Sequence, residues 1–428
     1  MSICAVAVAR LRSLSGGRGT PPAIIWVPAL FVGAVLLLPL IYLVVRTFDA
    51  GGDIWDLLFR QRIGTILLRT ILLVVTVTGA SILLAVPIAW LTTRTDLPLR
   101  RAWVVLSALP LVIPSYVAGF IVIAALGPRG MLQQALDGPF GIDRLPDIHG
   151  FVGALLTLTF LSFPYVVLTV RAALLKLDPA LEESSRILGR GNWTTFFSVT
   201  LPMLRPGIAA GGLLVALYTL SDFGAVSLLR YETFTWAIFI QYESALDRTL
   251  GAGMSMSLVI LALAIVGLEL FSRGRARYYS STTSISRPPS TIRLGRWKWP
   301  ALAFCGIVVT VSLVAPMSVL FYWVVRGISA GEPLNLVWTA VGNSVYVAAL
   351  AATAAVIAAV PVAALSVRYP GVFSGFLERL SYIGFALPGI AIALSLVFFG
   401  ARYAPPLYQT TGLLLLAYVV LYLSPALG

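Results

Sequence analysis

Between two long apolar stretches lies a polar insert, Lys176 to Pro206, reading KLDPALEESSRILGRGNWTTFFSVTLPMLRP. Its residues suit a docking element better than bond chemistry. Asp178 can cap a helix whose first position is Pro179, and Glu182 and Glu183 place negative charge in the first turns, where the helix dipole favours it. Ser184 and Ser185 are small enough to let a partner surface approach the backbone. Gly189, with Gly191 beside it, supplies a turn that can reach positive φ. Pro202 and Pro206 punctuate the entry to the next apolar stretch. Taken locally, these features also fit a capped connector with no partner.

A second residue of interest is Asp222, in Ser221-Asp222-Phe223-Gly224-Ala225 toward the outer half of an apolar stretch. A carboxylate at membrane depth either lines a translocation path or gate, or hydrogen-bonds Thr219, Ser221 or a neighbouring span to hold helices together. Tyr116, Tyr218 and Asn343 join it as candidate path residues. Catalysis has little to stand on. His149 is the single histidine, and there is no His-Glu-x-x-His run. Asp-Phe-Gly here lacks the glycine-rich and catalytic loops of a kinase. Cys4 and Cys305 lie far apart, which rules out a disulfide framework, and no metal-ligand spacing is present.

The elements that must position these residues are membrane helices. Hydrophobic residues make up 59% of the 428, charged residues 11%, and mean hydropathy is +0.94, whereas soluble domains carry about 25% charge. The sequence predicts an all-α polytopic membrane protein with ten spans near 23–45, 65–91, 103–126, 150–170, 207–229, 250–271, 300–325, 338–365, 381–400 and 410–427. The runs are continuous, unlike the short alternating segments of a β-barrel.

With the amino terminus in the cytoplasm, positive charge collects on the inner side. Arg273, Arg275, Arg277, Arg287, Arg293, Arg296 and Lys298 occur in one link without an acid. The net charge of +13 is thus a topology signal. Tyr278, Tyr279 and Trp297 are too few to interleave as stacking platforms, so no nucleic-acid partner is expected. The Arg10–Arg18 leader precedes a full-length span and shows no signal-peptide cleavage site.

The link, 273–299, is rich in Ser, Thr, Arg and Pro and reads as a cytoplasmic tether between two related halves. Val86-Pro87-Ile88-Ala89 and Arg94 recur as Val360-Pro361-Val362-Ala363 and Arg368, and Ala108-Leu109-Pro110 recurs as Ala386-Leu387-Pro388. The expected division is a first six-span domain, 1–272, and the first four spans of a second, 300–428. A counterpart of Glu183 would fall beyond Gly428, so a fragment or an interrupted gene is the expectation.

The insert at 176–206 resembles the cytoplasmic coupling loop of ABC-importer permeases. That pattern is Glu-Ala-Ala, three residues, Gly, nine residues, Ile, one residue, Leu-Pro. It is met by Glu183-Ser184-Ser185, Gly189, Val199, Leu201 and Pro202, with Ser-Ser for Ala-Ala and Val for Ile. The resemblance implies an integral bacterial inner-membrane permease that is not itself an enzyme and carries no cofactor. Its partners would be ABC ATPase subunits, which hold ATP and Mg, and an extracytoplasmic solute-binding protein. Consistent with this, Lys176 follows Leu175 and Lys298 follows Trp297, so no P-loop exists. The runner-up is an ion-coupled secondary transporter, disfavoured because the spans hold little beyond Asp222, Glu269 and Arg69. Residues 221–239, SDFGAVSLLRYETFTWAIF, with LPLVIPSY at 109–116, resemble the ferric-iron branch of these permeases; thiamine, polyamine and phosphonate importers share much of that pattern.

Overall fold

The computed structural model describes residues 22–49, 60–177, 179–243, 248–273, 291–331 and 334–427. Among them the fold is all-α, with one isolated pair of bridge residues, Thr95 and Ile292. Eight helical stretches are long and apolar enough to cross a membrane, and Gly389–Tyr403 and Thr411–Ser424 are shorter apolar helices.

The helices are α1 Ala23–Asp49, α2 Gln61–Arg94, α3 Arg100–Ala108, α4 Ser115–Leu126, α5 Met131–Phe140, α6 Phe151–Lys176, α7 Pro179–Ile187, α8 Asn192–Thr195, α9 Leu201–Ser221, α10 Gly224–Leu228, α11 Phe234–Glu243, α12 Arg248–Arg273, α13 Lys298–Val309, α14 Ala315–Ser329, α15 Leu334–Arg368, α16 Val372–Ala386, α17 Gly389–Tyr403 and α18 Thr411–Leu427. The third and ninth apolar stretches are broken where Ala-Leu-Pro recurs. Residues 109–112 form a 3-10 turn before α4, and Leu387-Pro388 separates α16 from α17. Proline removes a donor and disfavours helix in the residue before it, as at Ile113, which is extended before Pro114, and at the Leu387-Pro388 break; Leu109, before Pro110, stays helical.

Two further irregularities share a cause. A π turn at Phe196–Thr200 precedes Leu201-Pro202, and another at Thr310–Val314 precedes Ala315-Pro316. In each, the residue before proline donates five residues back, Leu201 to Phe196 and Ala315 to Thr310. A proline ring pushes away the carbonyl four residues earlier, and one wide turn accommodates it.

The helices gather into two compact units that do not follow chain order. One contains α1, the start of α12 and α15 to α18. Its core runs through Ala29, Leu36 and Leu43 of α1, Val362 and Leu365 of α15, and Ile392, Leu396 and Leu423. The other contains α2 to α11, the rest of α12, α13 and α14. Its core is the α2, α6, α9 bundle, with Leu73, Val77, Leu158, Phe163, Val166 and Val215 fully or almost fully buried. Close packing there depends on glycine: a Cβ on Gly211 would stand 2.7 Å from Val166 Cα and 2.3 Å from Thr169 Oγ1. Small residues let membrane helices approach in this way. Thus α1 is counted with α15 to α18, and α13 and α14 with α2 to α11, a different division from the boundary expected at 273–299.

Candidate functional site

The α2 helix has 34 residues and a length of about 51 Å, more than the about 30 Å hydrocarbon layer requires. Its last turn meets the start of the insert at 176–206, where Arg94 Nη2 donates to Leu177 O at 3.3 Å. There α7 ends in a Schellman motif at Gly189, whose φ is +81°. Gly189 N–H donates to Arg186 O at 2.9 Å and Arg190 N–H to Ser185 O at 3.2 Å. Gly191 has no positive φ. Asp178 lies outside the described residues.

The insert folds on itself. The Ser185 hydroxyl pairs with Thr195 Oγ1 at 3.1 Å, and Thr200, inside the π turn, donates to Glu182 Oε1 at 3.0 Å. Glu182, Ser185, Thr195 and Thr200 are buried, whereas Glu183, Ser184 and Gly189 are exposed. The adjacent carboxylates thus divide: Glu182 faces inward and Glu183 outward. So do the serines, since Ser185 closes the loop internally and Ser184 bonds only Ala180 O, at 2.8 Å. Val199, Leu201 and Pro202 are half-buried.

The outward face is apolar. Ile187 is 85% exposed, Leu188 80%, Trp193 71% and Phe197 60%, with the rings of Trp193 and Phe197 stacked at 6.3 Å. Arg190 Nη1 donates to Ser198 Oγ at 3.2 Å beside them. An apolar patch on a polar connector marks an interaction surface.

Beneath the loop sits a residue that sequence reasoning did not select, Arg94. It is fully buried; its Nη2 donates to Leu174 O at 3.2 Å and Leu177 O at 3.3 Å, and stands 3.9 Å from Glu182 Oε1. The available signal was its recurrence as Arg368. The turn after it also binds the end of the link: Ile292 N–H donates to Arg94 O at 2.8 Å, and Leu294 N–H to Asp96 Oδ1 at 2.9 Å. That backbone donor, with Lys298 3.6 Å away, holds the Asp96 carboxyl below its ordinary range.

Asp222 follows the last residue of α9 and caps α10. Its Oδ2 accepts from Ala225 N–H at 3.0 Å and Val226 N–H at 3.4 Å, and Thr235 Oγ1 donates to its carbonyl at 2.6 Å. Thr219 Oγ1 has no partner among the described residues. A Cβ on Gly224 would meet Ser115 Oγ at 2.6 Å and Tyr116 N at 2.8 Å, so glycine lets the start of α10 approach the start of α4. Tyr218 pairs with Tyr165 at 5.8 Å, and Tyr116 is exposed. Asn343 belongs to the other unit, where it lines a groove of about 790 Å³ between α15 and α18. The structure thus brings Asp222, Tyr218 and Tyr116 to one helix junction, whereas Asn343 is counted in the other unit.

An inward-braced loop with an apolar outer face, held among helices long and apolar enough to cross a membrane, belongs to a polytopic helical membrane protein. The binding-protein-dependent transport system inner membrane component family matches residues 81–330. The chain is 34% identical over 412 residues to the Fe(3+)-transport system permease protein FbpB 2 of Haemophilus influenzae, covering 95% of this chain and 77% of that one. It is 35% identical over 161 residues to the molybdenum transport system permease protein ModB of Escherichia coli K12, covering 37% and 69%. With the sulfate transport system permease protein CysT of the same bacterium it shares 29% over 250 residues, covering 57% and 87%. The chain belongs to the binding-protein-dependent permease family. It is a multi-pass inner-membrane permease of the ABC-importer class, with no catalytic role of its own.

Proposed function

We propose that this permease imports ferric iron, driven by separate ABC ATPase subunits that dock on residues 176–206 and supplied by an extracytoplasmic solute-binding protein. The observation that carries the coupling part is the loop's two-sidedness: Glu182, Ser185, Thr195 and Thr200 brace it from within, while Ile187, Leu188, Trp193 and Phe197 face outward. Desolvating such a patch against a partner is favourable at about 25 cal/mol per Å². Glu183 and Ser184 flank it as polar contacts. In this reading residues 1–272 and 300–428 are two permease repeats tethered by 273–299, with the amino terminus and the tether in the cytoplasm. The Asp222, Tyr218 and Tyr116 junction borders the path, and Asn343 serves the second repeat.

Ferric iron is favoured because similarity to the Fe(3+) permease runs through 95% of the chain. The molybdenum and sulfate permeases match shorter stretches, 37% and 57% of it, and make an oxyanion the second reading. The test is uptake in proteoliposomes holding the permease, its ATPase and its binding protein. ATP-dependent accumulation of radioactive iron, unaffected by excess molybdate or sulfate, is the expected result. Accumulation of molybdate or sulfate in place of iron would move the assignment to the oxyanions.

A further inference from the structure

Arg94 is fully buried and Glu182 is 4% exposed, yet the two belong to different segments, the end of α2 and the first turn of α7. One oxygen, Glu182 Oε1, serves both Arg94 Nη2 at 3.9 Å and the Thr200 hydroxyl at 3.0 Å. The same Nη2 holds the carbonyls of Leu174 and Leu177 at the end of α6. Arg94 Nε and Nη1 have no hydrogen-bond partner among the described residues. The guanidinium therefore joins α2 to two things only, the end of α6 and the carboxylate of the loop helix.

A buried charge with a single counter-charge is a stiff connection. Separating the pair leaves each ion uncompensated in a poorly solvated site, so one partner must follow when the other moves. At 3.9 Å the pair is an ion pair without a direct hydrogen bond, and movement of α7 toward or away from α2 changes its energy steeply. Contacts among exposed side chains would be screened and loose by comparison.

We propose that Arg94 is the positioning residue through which displacement of the loop helix α7 reaches the membrane span α2, with Glu182 as its counter-charge. The proposal rests on the coupling function assigned above. A pair that merely stabilises the fold makes a different prediction, because exchanging both buried ions for apolar side chains of similar size is often neutral or stabilising. The double variant R94M/E182M separates the two.

In proteoliposomes with ATPase and binding protein, R94M/E182M is expected to bind the ATPase as wild type does, since the outward patch is untouched. Solute moved per ATP hydrolysed is expected to fall about tenfold. Should that variant fail to insert, R94Q/E182Q, which keeps hydrogen-bonding groups without charge, reads the same ratio. An unchanged ratio in the variant that inserts would overturn the proposal while leaving the coupling reading intact. Loss of ATPase binding would also overturn it, because the pair would then be building the seat and not transmitting motion. A wild-type permease that neither binds the ATPase nor takes up solute would overturn the coupling reading and the proposal together.

Discussion

Arg94 and Arg368 close the same repeated sequence, Val-Pro-(Ile/Val)-Ala followed by arginine, at the ends of the two longest helices, α2 and α15. Both helices bury the repeated apolar positions: Ile88 and Leu91 in one, Val362 and Leu365 in the other. Yet Arg94 is fully buried and Arg368 is exposed. The end of α6 and the first turn of α7 close over Arg94, whereas near the end of α15 Ser366 donates to Glu378 at 2.7 Å. Within these 428 residues the same local sequence is thus covered in one copy and left uncovered in the other.

That contrast predicts unequal penalties. Arg94→Ala strands Glu182 without a counter-charge and should destabilise the permease by about 3–5 kcal/mol. Arg368→Ala should stay within about 0.5 kcal/mol. Thermal unfolding of both variants in detergent checks this, and equal shifts would erase the distinction between the two copies.

Packing offers the next test. Gly211→Ala drives a Cβ toward the backbone of Val166 and should cost about 1–3 kcal/mol, while Gly342→Ala in α15, with nothing within 4 Å, should not destabilise. Melting temperatures of the pair read this out. The loop itself is more delicate. Gly189→Val forces a β-branched residue to φ +81°, a strain of about 1–3 kcal/mol, so uptake should fall while membrane insertion, followed by immunoblot of the membrane fraction, stays normal.

The smallest effect concerns the link. The lowered Asp96 pKa means that its contribution is present above the ordinary value of 3.8 and lost as pH falls through the lowered one. Wild type should therefore protect the Leu294 amide from hydrogen exchange throughout the neutral range, and Asp96→Asn should lower that protection there. Equal protection in the two proteins would show that the charge plays no part.

Much of this architecture was legible in the sequence. Apolar run length gave the helical membrane class, because it is read locally, although the third and ninth runs were expected as unbroken spans. Gly189 was readable as a left-handed turn for the same reason. What escaped depends on distant partners. Glu182 and Glu183 are adjacent and chemically alike, and nothing in their spacing says that one meets an arginine more than 80 residues earlier. The bonds from the amides of Ala225 and Val226 to Asp222 were not legible either, since they form only where the chain turns from α9 into α10. The repeat boundary, likewise, does not announce that α1 is counted with α15 to α18.

The central claim is that the outward face of residues 176–206 is the seat of an ATPase, and its most direct test is protection of a thiol. In a permease lacking Cys4 and Cys305, a cysteine replacing Leu188, 80% exposed, should react quickly with maleimide when the permease is alone and become strongly protected when its ATPase is bound. A cysteine replacing the exposed Ile307 of α13 serves as the control and should react equally in both states. Alkylation of the Leu188 variant at the same rate with and without the ATPase would contradict the account.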